Sequence, residues 1–255
     1  MNLKQRLELH YKAFDKFQIS PDPLQFLHLF SDKREIELVG FISSIFAYGN
    51  IKQIINTLNR LMAAGDNKPY NFIANSTSAQ IKKKLAGIKH RFYSEEDVNL
   101  FFQILSKVYN QEGSLEKIFM QHYNQADKNL KNSINEFSKY FLNIAGKENT
   151  HGFKFMFSLP EKGSACKRMN LFLRWMIRKD ELDFGLWKGI PPDKLVIPVD
   201  THVAKICKKL KLTSINNVSW KMAEEITDNL RRFDPNDPVK YDFAICHIGM
   251  RKLEF

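Results

Sequence analysis

Two short stretches of the 255-residue chain hold residues whose types and spacing could do chemistry. The first, residues 159–179, reads LPEKGSACKRMNLFLRWMIRK. Leu159-Pro160 and Gly163-Ser164 make a tight connection into a helix. A glycine-containing turn at a helix N-terminus presents free backbone N–H groups, and phosphate is their natural partner. The helix then places Met169, Phe172, Leu173, Met176 and Ile177 on one apolar face and Lys167, Arg174 and Arg178 on another. The plain alternative is a surface helix with solvated charges. The second stretch, residues 195–212, reads LVIPVDTHVAKICKKLKL. Pro198 ends an extended entry, and Asp200 stands where a helix N-cap belongs, accepting backbone N–H bonds. Val203, Ile206, Cys207 and Leu210 then form an apolar stripe, with Lys205, Lys208, Lys209 and Lys211 on the other side.

The elements that must position these residues read as helices throughout, and the fold class expected is all-α. Leu3, Leu7 and Tyr11 begin an amphipathic pattern that Pro21 and Pro23 end. A second helix opens at Ser31-Asp32, carries Glu35 and Glu37 in its first turns, and runs to the break at Tyr48-Gly49-Asn50. A third runs from Ile51 to about Ala64, and others recur around 78–90, 95–110, 114–122 and 126–146. Hairpin-type Asn-Gly signals and sustained period-two alternation are missing, so strands are not expected.

Composition narrows the function classes. With 44% hydrophobic and 26% charged residues the chain has the make-up of a globular protein, enough for one large domain or two lobes. Lys+Arg is 39 against 28 Asp+Glu, a net charge of +11, which suits a polyanionic partner. Residues 151–211 alone carry thirteen Lys/Arg and six Asp/Glu, a net of +7. The three cysteines, Cys166, Cys207 and Cys246, are scattered; this excludes a four-cysteine iron–sulfur cluster and argues against a zinc finger or a disulfide framework. A reducing, cytoplasmic setting is expected. The N-terminal MNLKQRLELHYKAFDKF has no apolar signal core, and the apolar stretch near residues 38–47 is too short to span a bilayer.

The string Ile197-Pro-Val-Asp-Thr-His-Val203 with its basic helix resembles the catalytic-aspartate segment of the helix-hairpin-helix DNA glycosylases. In that superfamily a glycine-rich hairpin that grips the DNA backbone precedes the aspartate, as residues 159–179 do here. The closing Tyr241-Asp-Phe-Ala-Ile-Cys-His-Ile-Gly249 is similar to a late helix of the superfamily, and residues 38–50 to the helix and turn that reach the lesion. Two departures stand out. Leu159-Pro-Glu-Lys-Gly163 lacks the first glycine of the usual LPGxG, and Lys167 lies 33 residues before Asp200, longer than in endonuclease III-like enzymes. The long interval is closer to the archaeal 8-oxoguanine DNA glycosylases, which lack an iron–sulfur cluster, and the chain looks most like a bacterial family related to them.

The resemblance implies a two-lobed fold with a central cleft. One lobe would be discontinuous, residues 1–33 and 191–255, and the other continuous, residues 34–190, carrying the hairpin, with Asp200 at the crossing between lobes. It also implies excision of an oxidised purine from double-stranded DNA, with Schiff-base AP lyase activity, by a monomer. The base must leave the stack before its bond can be reached. Asp200 would stabilise the oxocarbenium charge at C1′ and help deprotonate the nucleophile. Lys167 would be that nucleophile, its pKa lowered by desolvation or by Arg168 or Arg174 nearby, with Lys162 as the alternative amine and a water as the third possibility. Lys162, Gly163, Ser164, Arg168, Arg174, His202 and Lys205 are the expected DNA contacts. Tyr48 and Asn50 would fill the gap left by the flipped base, and Asp242 would read a base edge, unless it is a surface ion pair. Trp175 and Trp187 are expected in the core. No cofactor is expected beyond a monovalent cation at the hairpin carbonyls. Two other readings compete: a non-catalytic helix-hairpin-helix DNA-binding protein, and an RNA-binding or RNA-processing protein.

Overall fold

The structure, a computed structural model, describes residues 1–13 and 15–250, apart from the side chains of Gln18 and residues 247–250. The end of the closing segment expected to resemble a late glycosylase helix, and residues 251–255 of the expected C-terminal lobe, therefore lie outside the described side chains or residues. The chain is predominantly helical, with two isolated bridges and no strand among the described residues. No helix among them is long and apolar enough to cross a membrane.

Two compact units form. The first comprises Met1–Ile19, Asn124–Asn132 and Leu159–Phe255; the second comprises Ser20–Tyr123 and Ser133–Ser158. The expected division differs in three places: residues 20–33 group with the second unit, and residues 124–132 and 159–190 with the first. Residues 159–190 were assigned with residues 34–158, yet they join the 191–255 segment, because the helix of the hairpin is bonded to the residues that follow it. The amide of Trp220 donates to the Gly163 carbonyl (3.0 Å), and Arg174 pairs with Asp242.

The helices, in chain order, are α1 (Leu3–Lys12), α2 (Lys33–Phe46), α3 (Ile51–Ala64), α4 (Pro69–Asn75), α5 (Ser78–Lys84), α6 (Glu95–Glu112), α7 (Leu115–Met120), α8 (Lys131–Ala145), α9 (His151–Met156), α10 (Lys167–Ile177), α11 (Thr201–Lys209), α12 (Trp220–Arg231) and α13 (Asp242–Met250). The second and third helices match their sequence signals closely. Asp32 caps α2 through the amides of Arg34 and Glu35, and Asn50 caps α3 through that of Lys52. The short helices α4 and α9 were not among those expected, although each has a start signal of its own. α4 begins at Pro69, whose fixed φ suits a first helical turn, and α9 is capped by Thr150.

In the second unit the core is aromatic. Phe41 meets Phe101, Phe137, Phe141 and Phe157, and Phe141 stacks on Phe157 with centroids 4.7 Å apart. Buried Glu37 accepts from the Tyr109 hydroxyl and the amides of Leu115 and Glu116, so its carboxylate satisfies the first amides of α7. In the first unit α13 packs on α1 and α11, and Trp175, Trp187 and Trp220 are buried, as expected for the first two.

Candidate active site

The first unit brings the ends of two helices together. Lys167 opens α10 and Asp200 caps α11. Pro160 starts a short 3-10 turn that ends at Gly163, whose φ of +85° is left-handed; nothing lies within 4 Å of an added Cβ, so conformation rather than crowding asks for glycine there. The Ser164 hydroxyl accepts from the Cys166 amide (3.2 Å), and Cys166, itself left-handed at φ +47°, precedes α10 without any side-chain cap. Its thiol is buried and pushed up to about 11 by that burial, so it is not the nucleophile of this corner.

Lys167 Nζ lies 2.8 Å from Asp200 Oδ2, and the two side chains are 30% and 33% exposed. The other oxygen, Oδ1, accepts from the amides of His202 and Val203, both at 2.9 Å. Burial pushes the Asp200 carboxyl up, but the Lys167 charge and hydrogen bond and the two α11 amides outweigh it. The carboxyl is held below the usual carboxylate range and is ionised at neutral pH. One oxygen is therefore fixed by the helix, while the other faces an amine at a position that solvent reaches. An amine and a carboxylate so arranged can exchange a proton, and the amine can approach an electrophile without crossing the core.

Behind this pair lies a second set of charges. Arg174, one helical face further along α10, donates to Asp183 (3.1 Å) and pairs with Asp242. Arg178 pairs with Asp183, with Asp237 (2.8 Å) and with Asp180 (2.9 Å), and Asp180 also accepts from the Tyr11 hydroxyl (3.1 Å). Both arginine side chains are 3% exposed. The solvated-helix alternative is overturned, and so is the expectation that Arg174 touches DNA or depresses the Lys167 pKa from a free surface, because its guanidinium is consumed by two buried carboxylates. Asp242 is likewise no surface pair. Burial pushes its carboxyl up, against the pull of Arg174 and, more weakly, of Lys167, which places it within electrostatic reach of the pair.

The family model described as protein of unknown function (DUF2400) matches residues 22–251. The chain belongs to the DUF2400 family. No curated protein and no solved structure matches it. The DUF2400 match takes in both helix ends that carry Lys167 and Asp200, the buried arginine cluster and the Tyr48-Gly49-Asn50 turn.

The other expected site residues of this DUF2400 chain divide by exposure. Lys162, Gly163 and Lys205 are exposed and Ser164 half-buried, so the hairpin turn and one side of α11 face solvent. Arg168 is buried, which leaves it little to offer a phosphate outside. His202 Nε2 is buried and has no hydrogen-bond partner among the described residues, and it is the backbone amide of His202 that serves Asp200. Tyr48 and Asn50 belong to the second unit; Asn50 is exposed and caps α3, and the Tyr48 hydroxyl accepts from the Phe92 amide (2.8 Å) and donates to the His90 carbonyl (3.3 Å). Sequence reasoning missed Asp180, Asp183 and Asp237. The signal was present: Arg174 lies within the apolar run Phe172 to Ile177 and Arg178 follows it directly, and charges so embedded in apolar residues call for buried partners.

Proposed function

We propose that the chain is a DNA base-excision glycosylase that removes an oxidised purine of the 8-oxoguanine type, and that it nicks the strand afterwards as a Schiff-base AP lyase. The observation that carries this reading is the Lys167–Asp200 pair, 2.8 Å apart and about one third exposed on each side. It is supported by the exposed basic surface of the hairpin and α11 around it. Double-stranded DNA is the partner, held by its phosphates at exposed Lys162 and Lys205 and at the turn of Gly163 and Ser164.

The chemistry runs through these two side chains. Asp200 accepts a proton from the Lys167 ammonium, and the neutral amine attacks C1′ of a nucleotide turned out of the stack. The bond from C1′ to the base breaks, its electron pair leaves with the base, and the base takes the proton that Asp200 had accepted, which leaves Asp200 ionised again. The sugar ring opens, an imine forms between Lys167 and C1′, and loss of a C2′ proton expels the 3′ phosphate. During bond cleavage the ionised Asp200 faces the positive charge that develops on the sugar. Asp242, buried and paired with Arg174, holds the start of α13 against α10.

A duplex carrying one 8-oxoguanine tests the reading. The wild-type protein releases the base and nicks the strand without added alkali. Asp200→Asn lowers base release by at least about 100-fold. Lys167→Gln abolishes the nick; base release that survives in this variant makes the enzyme monofunctional, with Asp200 activating a water. A wild-type protein that holds the duplex tightly yet releases no base is a non-catalytic reader, and the proposal fails.

A further inference from the structure

Two turns of the second unit are locked together and carry aromatic side chains outward. The first is Tyr48-Gly49-Asn50, between α2 and α3. The second is His90-Arg91-Phe92-Tyr93, closed by an isolated bridge between His90 and Tyr93. Four hydrogen bonds join or brace them. The Tyr48 hydroxyl bonds the Phe92 amide (2.8 Å) and the His90 carbonyl (3.3 Å), His90 Nε2 donates to the Tyr48 carbonyl (3.0 Å), and Thr57 Oγ1 meets His90 Nδ1 (2.9 Å). Because a carbonyl only accepts, Nε2 carries the imidazole proton and Nδ1 accepts from Thr57.

On this frame Phe92 is 64% exposed and Phe155, from α9, is also exposed. Tyr48 lies near-parallel to Phe92 at 6.2 Å and packs against Phe155 at 5.2 Å, and Phe92 meets Phe155 edge-on at 5.9 Å. The Arg91 guanidinium lies over Tyr48 (5.1 Å) and Phe92 (5.6 Å), and no carboxylate among the described residues is paired to it. Arg91 adopts a left-handed φ of +53°, unusual for a residue with a side chain, and its side chain passes close over Gly49, where a Cβ would stand 2.5 Å from Arg91 Cδ and push it aside. Exposed rings on a braced surface, beside a guanidinium that no carboxylate among the described residues holds, form a surface on which an aromatic, negatively charged ligand gains both stacking and charge.

We infer that Tyr48, Phe92, Phe155 and Arg91 form a stacking platform for an unpaired nucleobase, with Arg91 taking that nucleotide's phosphate. Charge complementarity chooses this occupant: exposed Lys89 and Lys154 flank Phe92 and Phe155 in a chain of net charge +11, and a nucleotide supplies the ring and the anion together. The inference rests on nucleic acid as partner but not on base excision, and it needs neither Lys167 nor Asp200.

The test uses the full-length chain and two duplexes of the same sequence, one fully paired and one with 2-aminopurine opposite an abasic-site analogue. The wild-type protein binds the second about tenfold more tightly and quenches its 2-aminopurine fluorescence. Phe92→Ala removes the preference and the quenching while binding to the paired duplex stays the same, and Phe92→Trp restores both. Arg91→Ala weakens both complexes and lowers the slope of affinity against salt by about one counterion. Phe92 is exposed, so these variants keep their fold, which an unchanged melting temperature checks. Equal binding of both duplexes by wild type, or a preference unchanged in Phe92→Ala, overturns the platform. Base excision is scored separately on the 8-oxoguanine duplex: excision without the preference defeats the platform alone, and preference without excision defeats the glycosylase reading alone.

Discussion

The same helix, α10, carries two kinds of ion pair, and they differ in what surrounds them. Lys167, at its first turn, meets Asp200 where each side chain is about one third exposed. Arg174 and Arg178, two and three turns on, meet Asp183, Asp242, Asp237 and Asp180 with only 3% of either arginine exposed. An exposed pair gains little, because water competes for both ions and salt screens them. A buried pair gains no more in net stability than an apolar filling would, but its members cannot be separated without leaving a charge in the core. The open pair can therefore part and meet a group from solvent, as the proposed function requires, whereas the buried cluster can only hold the hairpin helix against α13 and the 180–183 turn. Charge and helical spacing are alike in the two regions, and burial decides which of them can react.

That contrast can be broken by substitution. Arg174→Met strands the Asp242 carboxylate, leaves Asp183 with Arg178 alone, and is expected to cost about 3–5 kcal/mol in urea unfolding. A cost under about 1 kcal/mol would make the cluster as replaceable as a surface pair. Asp200→Asn should do the reverse: an activity loss of at least about 100-fold, with stability held within about 1 kcal/mol, since asparagine also caps a helix. The Asp200 carboxyl is depressed in the folded protein, so the stability it adds is present above the ordinary aspartate range. It is lost as pH falls through the lower folded value.

A buried group with no opposite charge gives a third case. His90 is neutral in the folded second unit because burial, aided by the Arg91 charge, pushes its pKa down, against hydrogen bonds to the Tyr48 and Phe46 carbonyls. Unfolding then takes up a proton, so stability should fall as pH drops below about 6.5 and level off below the folded value. His90→Gln should flatten that slope in thermal melts followed between pH 5 and 8, and an equal slope in the variant would place the dependence elsewhere. The smallest effect is expected at Lys84–Asp66, whose side chains are 49% and 78% exposed. Lys84→Ala should shift stability by less than about 1 kcal/mol.

Much of the fold could be read from local signals. Asp32 announced α2 and Asp200 announced α11, because a cap is a short-range interaction between a side chain and the next two or three amides. The pairing of Lys167 with Asp200 came from a motif resemblance, not from any local rule, since 33 residues separate them. What escaped is long-range. The move of residues 159–190 into the same unit as residues 191–255 depends on Gly163–Trp220 and Arg174–Asp242 contacts that no window of sequence contains. Phe92 reads as one more core phenylalanine among 21, and only the braced turn shows it facing outward.

The central claim is that Lys167 and Asp200 form a reacting pair rather than one more surface ion pair. Borohydride reduction in the presence of an 8-oxoguanine duplex, followed by mapping of the modified peptide, addresses it most directly. The account predicts a covalent protein–DNA adduct on Lys167 that disappears in Lys167→Gln and falls sharply in Asp200→Asn. An adduct mapped to Lys162 or another amine, or one of undiminished yield in Asp200→Asn, would contradict it.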